Sequence, residues 1–270
     1  DQNNLLLTST ISFVSTSNVA FYCNSKPIFS DIEKNSINLC PQKLEEKLKK
    51  YNNIKIVIPV HIAGKSSNMA RISQICKKYS NPVLIEDAAH ALGGKYEDGS
   101  MVGNCKYSDM TVFSLHPVKI IAAGEGGLIT TNNEILYKKL IKLRSHGINK
   151  KDDFFINEKN SKTNTLFNPW YYEMQEIGFH YRITDFQCAL ANSQLKKIDK
   201  FIKKRKEIAN KYDEIFKNEP LIQIAQINKE NSSNHLYVVR IDFNKIGISR
   251  AELMSNLKLR NIITQVHYIP

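Results

Sequence analysis

The chain has 270 residues, of which 42% are hydrophobic and 24% charged, the composition of a globular domain rather than a disordered or fibrous one. Its formal net charge of +12 raises nucleic acid as a partner, but the lysines are scattered through helical stretches such as residues 43–50 and 196–206, and no basic segment interleaves the aromatics on which bases stack. No nucleic-acid partner is expected, although a basic protein still suits an anionic ligand such as a nucleoside diphosphate.

No stretch is long and apolar enough to span a membrane. The five cysteines (Cys23, Cys40, Cys76, Cys105 and Cys188) form no Cys-x-x-Cys pair. Neither a disulfide framework nor a zinc site is expected, and the thiols read as reduced and cytoplasmic. The chain opens at Asp1 and stops at Pro270, and it is read as a fragment lacking both ends.

Short apolar runs alternate with helical patterns, which predicts an α/β fold with a mostly parallel central sheet flanked by helices. Strands are expected at residues 5–8, 27–31, 54–60, 83–86, 111–114 and 127–131. Between them, Leu44, Leu48 and Tyr51 mark one helical face, and Met69, Ile72, Cys76 and Tyr79 another, entered through Ser66-Ser67-Asn68. Residues 150–165 are polar and aperiodic, a predicted loop. A long helical stretch opens at Thr184, where Thr184 and Gln187 have capping-box spacing. Beyond it, strand-like 236–243, helical 249–259 and strand-like 262–267 predict the start of a smaller α/β domain. The expected division is 1–205 and 206–270.

Two segments could carry chemistry. The first, Val83-Leu84-Ile85-Glu86-Asp87-Ala88-Ala89-His90-Ala91-Leu92-Gly93, reads as a buried strand ending in a carboxylate. Ligands of open α/β sheets sit at the carboxyl ends of strands, so Asp87 is either a functional acid or a cap on the next turn. The second, Phe113-Ser114-Leu115-His116-Pro117-Val118-Lys119, is followed by Gly124-Glu125-Gly126-Gly127. Lys119 precedes Ile120, Ile121, Ala122 and Ala123. It is either an amine made nucleophilic by desolvation or a surface lysine whose stem covers apolar neighbours. Periodicity leaves both choices open. A metal cluster of His61, Asp87, His90 and His116 is a further reading of the same residue types, but it gives no role to Lys119 or the glycines, and no metal is expected.

The series Asp-Ala-Ala-His-Ala-x-Gly, Phe-Ser-x-His-x-x-Lys and Gly-Glu-Gly-Gly resembles the DegT/StrS family of nucleotide-sugar aminotransferases. The likeness implies the type I aminotransferase fold and pyridoxal 5'-phosphate as cofactor. It implies that Lys119 binds the cofactor covalently and relays a proton, and that Asp87 pairs with the pyridinium nitrogen. His90 would hydrogen-bond the ring hydroxyl, Ser114 the phosphate, and Phe13 would stack on the ring. Gly178-Phe179-His180-Tyr181-Arg182 stands where the family has Gly-x-Asn-x-Arg. His180 thus replaces an asparagine that reaches the cofactor phosphate of the neighbouring subunit, in a homodimer that shares its active sites.

The runs His61-Ile62-Ala63-Gly64-Lys65-Ser66, Leu143-Arg144-Ser145-His146-Gly147, Ser232-Ser233-Asn234-His235-Leu236-Tyr237 and Gln265-Val266-His267-Tyr268-Ile269-Pro270 resemble the pseudaminic-acid branch of that family. That branch implies amination at C4 of a UDP-linked 4-keto-6-deoxy-N-acetylhexosamine, with glutamate as amino donor. His116, Gln265, His267 and Tyr268 would contact the sugar nucleotide. The alternatives are an aminotransferase for another nucleotide-linked keto sugar, or a non-catalytic member acting as a regulator.

Overall fold

The computed structural model describes residues 3–150, 155–227 and 229–268. Six strands form the central sheet: β1 (Leu5–Ser9), β2 (Lys26–Ser30), β3 (Ile54–Ile58), β4 (Val83–Asp87), β5 (Met110–Ser114) and β6 (Gly127–Thr130). Their spatial order is β2-β1-β3-β4-β5-β6. The first five are parallel, and β6 returns antiparallel to β5. Runs such as Ile54-Lys55-Ile56-Val57-Ile58 are rich in β-branched residues, as strands covered on both faces require.

Helices α1 (Val14–Tyr22), α2 (Pro41–Lys50) and α3 (Met69–Lys78) make the first three crossovers. Pro41 opens α2, where its missing N–H costs nothing. Of the three residues expected to cap α3, Asn68 does so, its side chain accepting from Arg71 N–H. Successive residues on a strand face opposite sides. Leu7, Val57 and Leu84 therefore pack with Leu44, Leu48, Ile72 and Ile75 of α2 and α3, while Leu6 and Ile58 pack with Ala20 of α1.

The same alternation separates two adjacent carboxylates. Glu86 follows Leu84 to the side of α2 and α3 and is fully buried. Its Oε2 accepts from His61 Nε2 at 2.6 Å. Because His61 Nδ1 already accepts from Ser67 N–H, Nε2 is the nitrogen that carries the proton. The hydroxyls of Tyr96, Thr111 and Ser108 also donate to Glu86. Burial pushes the Glu86 carboxyl upward, but His61, Ser108 and Tyr96 together outweigh burial and hold it below the usual glutamate range.

After β6 come α4 (Glu134–Leu143), β7 (Ile148–Asn149), and three short elements, α5 (Glu158–Ser161), β8 (Lys162–Thr163) and β9 (Leu166–Phe167), then β10 (Glu173–Met174) paired with β7. Part of the expected loop at 150–165 thus holds short elements, and its residues 151–154 lie outside the described residues. Helix α6 (Asp185–Leu195) starts with the expected Thr184–Gln187 capping box. Helix α7 (Ile198–Phe216) runs without a break through 205 and 206.

Ala191, Ile198, Phe201 and Ile202 from these helices cover Leu115, Ile120, Ile121 and Ala123, which anchors the turn that carries Lys119. The chain continues through β11 (Ile222–Ile224), β12 (Val239–Ile241), α8 (Phe243–Ile246) and α9 (Arg250–Leu259). The strand expected at 236–243 shortens to β12, which pairs with β11. The strand expected at 262–267 does not form: among the described residues no strand lies beside it to take its backbone hydrogen bonds. No helix among the described residues is long and apolar enough to cross a membrane.

Replacing Glu86 with Ala strands the buried donors of His61, Tyr96 and Thr111 together. The expected loss is about 3–5 kcal/mol of folding stability, read from chemical denaturation at pH 7. A variant within about 0.5 kcal/mol of wild type would contradict the pairing.

Candidate active site

The site forms past the carboxyl ends of β1, β4 and β5, where the loops of a parallel sheet converge. Asp87 ends β4 on the face of α1. Its Oδ2 accepts from Thr16 Oγ1 of α1 at 2.7 Å, and its Oδ1 from Ala89 N–H at 3.1 Å. Each carboxylate oxygen has a second lone pair for a further donor. Lys119 lies in the turn after β5, its N–H bonded to the His116 carbonyl. Its amine is half-buried, and burial lowers its pKa while the nearby Asp87 charge pulls more weakly the other way. Desolvation thus favours the free, nucleophilic amine, and the carboxylate within electrostatic reach opposes it only in part.

His90 begins the turn after Asp87 and is buried. Ala63 N–H donates to its Nδ1 at 3.3 Å, which leaves the proton on Nε2, 3.2 Å from the Tyr268 hydroxyl. Burial, reinforced by His235, Lys119 and His267, depresses the His90 pKa to about 2. At neutral pH His90 is therefore an uncharged Nε2–H donor. Its ring packs 4.5 Å from the His235 ring. His267 also loses basicity through burial and the Lys119 charge. Tyr268 is pushed up to about 12 by burial and Asp87. The Phe13 ring, half-exposed at the start of α1, lies 5.7 Å from Tyr268.

Lys119, Asp87, His90, Phe13, His267 and Tyr268 are thereby brought into one neighbourhood. The other expected site residues sit differently. Ser114 ends β5 with its hydroxyl accepting from His116 N–H, and His116 is exposed beside Glu125 at 3.7 Å. Gln265 is exposed. His180 is exposed in a bridge with Ser145, its ring 5.5 Å from His146. Ile269 and Pro270 lie outside the described residues. The four side chains of the metal reading do not converge: His61 is committed to Glu86 beneath the sheet and His116 lies beside Glu125. Among the described residues no group of three or more His, Cys, Asp or Glu is arranged to hold a metal.

The model of the DegT/DnrJ/EryC1/StrS aminotransferase family matches residues 1–270. The chain belongs to this family. A Campylobacter jejuni relative, a UDP-4-amino-4,6-dideoxy-N-acetyl-β-L-altrosamine transaminase, is 40% identical over the whole chain and 66% of its own length. The structure of Helicobacter pylori PseC, an aminotransferase involved in the biosynthesis of pseudaminic acid, superposes with a TM-score of 0.85 at 34% identity, covering 99% of this chain and 66% of that one. Bacillus subtilis NtdA with bound cofactor PMP gives a TM-score of 0.76 at 27% identity, over 98% of this chain and 55% of that one. The chain spans just under two thirds of the length of the curated relatives it matches, 66% of the Campylobacter protein and 65% of a Methanocaldococcus jannaschii one.

The family's small-residue runs have steric causes here. Gly64, at a φ of +101°, sits where a Cβ would meet Ser233 Oγ and lie 3.0 Å from the backbone nitrogens of Asn234 and His235. The loop that carries His235 can close on residues 62–64 only over a glycine. His235 is the residue of this site that the motif reading left out. It lies in the run Ser232-Ser233-Asn234-His235-Leu236-Tyr237, and nothing local in that run signals that it folds back onto His90.

Both buried imidazoles titrate below the ordinary histidine value of 6.5, His90 near 2 and His235 near 3. The unfolded chain takes up protons there that the folded chain refuses, so folding stability falls as the pH drops below 6.5. The Glu86 contribution stays intact until the pH falls below its ordinary value of 4.5. Between pH 6.5 and 4.5 the melting temperature of the protein without added ligand should fall. A His90→Asn variant should show a shallower fall. A flat wild-type profile would mean that these rings are charged in the folded state.

Proposed function

We propose that this chain forms the cofactor-bearing part of a pyridoxal-phosphate-dependent nucleotide-sugar aminotransferase. The observation that carries the reading is the half-buried amine of Lys119 placed within reach of the Asp87 charge and of the neutral donor His90. The donor set suits the group: an amine for its aldehyde, a carboxylate for its ring nitrogen, and an Nε2–H for its ring oxygen. Bound there, pyridoxal phosphate supplies an electron sink that stabilises the charge left when a proton is removed beside nitrogen.

The residues of the chain do the rest. Asp87, oriented by Thr16 and Ala89, holds a proton on the heterocycle nitrogen. His90, its tautomer set by Ala63, donates from Nε2. Lys119 would hold the group through its side-chain amine and, as a free amine, would take up and return the proton at the substrate carbon, for which a depressed amine pKa is suited. Phe13 would flank the ring, and Ser114 at the end of β5 would hold the phosphate. The acceptor is a UDP-linked 4-keto-6-deoxy-N-acetylhexosamine aminated at C4 for pseudaminic acid, the donor glutamate, and the setting the cytoplasm. The Campylobacter and Helicobacter likenesses support that choice of sugar. His116, Gln265, His267 and Tyr268 are the proposed sugar-nucleotide contacts.

A homodimer completes the proposal. Phe179 and Tyr181, the neighbours of His180 in sequence, are exposed at 62% and 70%, and Phe186, six residues on, at 90%; large apolar side chains left to water in one segment suit a protein contact. That face is suited to carry His180 toward the cofactor phosphate of a second copy.

Borohydride trapping of the purified protein incubated with pyridoxal phosphate, followed by peptide mapping, should place the label on Lys119. Lys119→Ala should lose the label and, with glutamate and the keto sugar, on the order of 10²–10⁴-fold or more in turnover. Label on another lysine, or unchanged turnover in the variant, would overturn the assignment.

A further inference from the structure

Among the described residues two fully enclosed side-chain polar atoms lack a hydrogen-bond partner, and one is Nδ1 of His235. The residue is 7% exposed. Enclosing a polar nitrogen without a partner is unfavourable, and an apolar ring of similar size would fill the space better. Nevertheless the loop that bears it is fixed from several sides. Ser233 N–H donates to the Gly64 carbonyl at 3.1 Å, Ser233 Oγ to the His90 carbonyl at 2.9 Å, and Leu236 N–H to the Ala63 carbonyl at 3.2 Å.

Arg205 of α7 adds to this. Its guanidinium donates to the carbonyls of Asn234 at 3.4 Å and His235 at 3.0 Å. A half-buried guanidinium, its basicity reduced by burial, is thus spent on orienting the backbone of one loop. Gly64 lets that loop close, because any side chain there would strike Ser233. The outcome is a histidine ring held 4.5 Å from the ring of His90, within electrostatic reach of Lys119 and His267. A ring held this firmly against His90 and within electrostatic reach of Lys119, with one nitrogen left without a protein partner, is preorganised for a group that arrives later.

We infer that His235 is a ligand-binding imidazole of this site, donating from Nδ1 to an anionic oxygen of the group bound at Lys119. The inference rests on the proposed function above. Two oxygens have the right chemistry, the ring oxygen of pyridoxal phosphate, shared with His90, and the carboxylate of the amino donor. The neutral state of the ring fits both, since an uncharged imidazole donates to an anion without adding a second cation beside Lys119. Burial, with help from Lys119 and Arg205, holds it neutral at physiological pH.

The decisive variant is His235→Phe, which keeps a ring against His90 and removes the nitrogens. Three quantities are compared with wild type: the melting temperature without ligand, the Kd of pyridoxal phosphate by absorbance titration, and the Kd of glutamate for the cofactor-loaded protein. The expected result is an equal or higher melting temperature together with a loss of about ten- to a hundredfold in one affinity, the range for a hydrogen bond to a charged group. Loss at pyridoxal phosphate assigns the ring oxygen, and loss at glutamate alone assigns the donor carboxylate.

Unchanged affinities in a folded Phe variant would overturn the inference. Failure of the wild-type protein to bind pyridoxal phosphate at all would instead overturn the functional reading beneath it. Should the Phe variant not fold, imidazole ¹⁵N shifts of wild-type His235 decide: movement of Nδ1 on adding pyridoxal phosphate or glutamate supports the inference, and no movement on either addition rejects it.

Discussion

The site depends on the pleat of one strand. Because side chains alternate along β4, two adjacent carboxylates are sent to opposite faces of the sheet. Glu86 goes beneath, where four side chains satisfy it and no solvent reaches it. Asp87 goes above, where Thr16 and Ala89 orient it and leave lone pairs free. A slip of one residue in the register of β4 would exchange them, leaving Asp87 under the sheet and Glu86 unpaired above it. The bridge that ties Val60 to Asp87, with His61 N–H on the Asp87 carbonyl, pins that register at the point where it matters. His61 takes part twice, through its backbone on Asp87 and its ring on Glu86, so both carboxylate residues of the strand end are fastened by one residue.

Desolvation gives the site its electrical character. A chain of net charge +12 would be expected to line an anion site with cations, yet His90, His235, His267 and Lys119 all lose basicity here, in each case chiefly through burial. The imidazoles become neutral donors, and the amine is drawn toward its nucleophilic form. The lysines that give the chain its charge lie mostly outside, on exposed helical faces such as that of α2. Net charge therefore describes the solvated surface, and the chemistry belongs to a few basic groups that the fold keeps from water.

Much of this was legible in the residues. The six strands of the sheet follow from apolar runs bounded by polar turns, and α6 from a hydroxyl and an amide three residues apart. Asp87 and Lys119 stand at strand ends where position left them ambiguous, and the family likeness gave them roles. What could not be read was long-range. His235 is 145 positions from His90 in sequence, and its closure onto the 62–64 turn is set by a glycine and a guanidinium with no periodic signal. The strand expected at 262–267 shows the complementary failure: alternation marks a segment able to pair, but a strand exists only where a neighbour offers its own backbone groups. His116 was ambiguous for a third reason, since its turn belongs to the site while its ring lies beside Glu125 at the surface.

The exposed face around His180 ties these points together. Helix α4 has no buried residue among its ten, and Ile135 on it is 78% exposed. The segment tied to the end of α4 by Phe179 N–H on the Leu143 carbonyl adds the exposed side chains Ile177, Phe179, Tyr181 and, further on, Phe186. Burying even part of that area against protein is worth more than leaving it wet. In contrast, the polar run Ser232–His235 is buried, which is costly unless nearly every donor and acceptor is matched. The two inversions have one physical reading. Where apolar residues face out and polar residues face in, packing alone does not account for the arrangement, and the positions are best explained by what binds there. For the buried run the proposed occupant is the group at Lys119, and for the outer face it is a second copy of the chain.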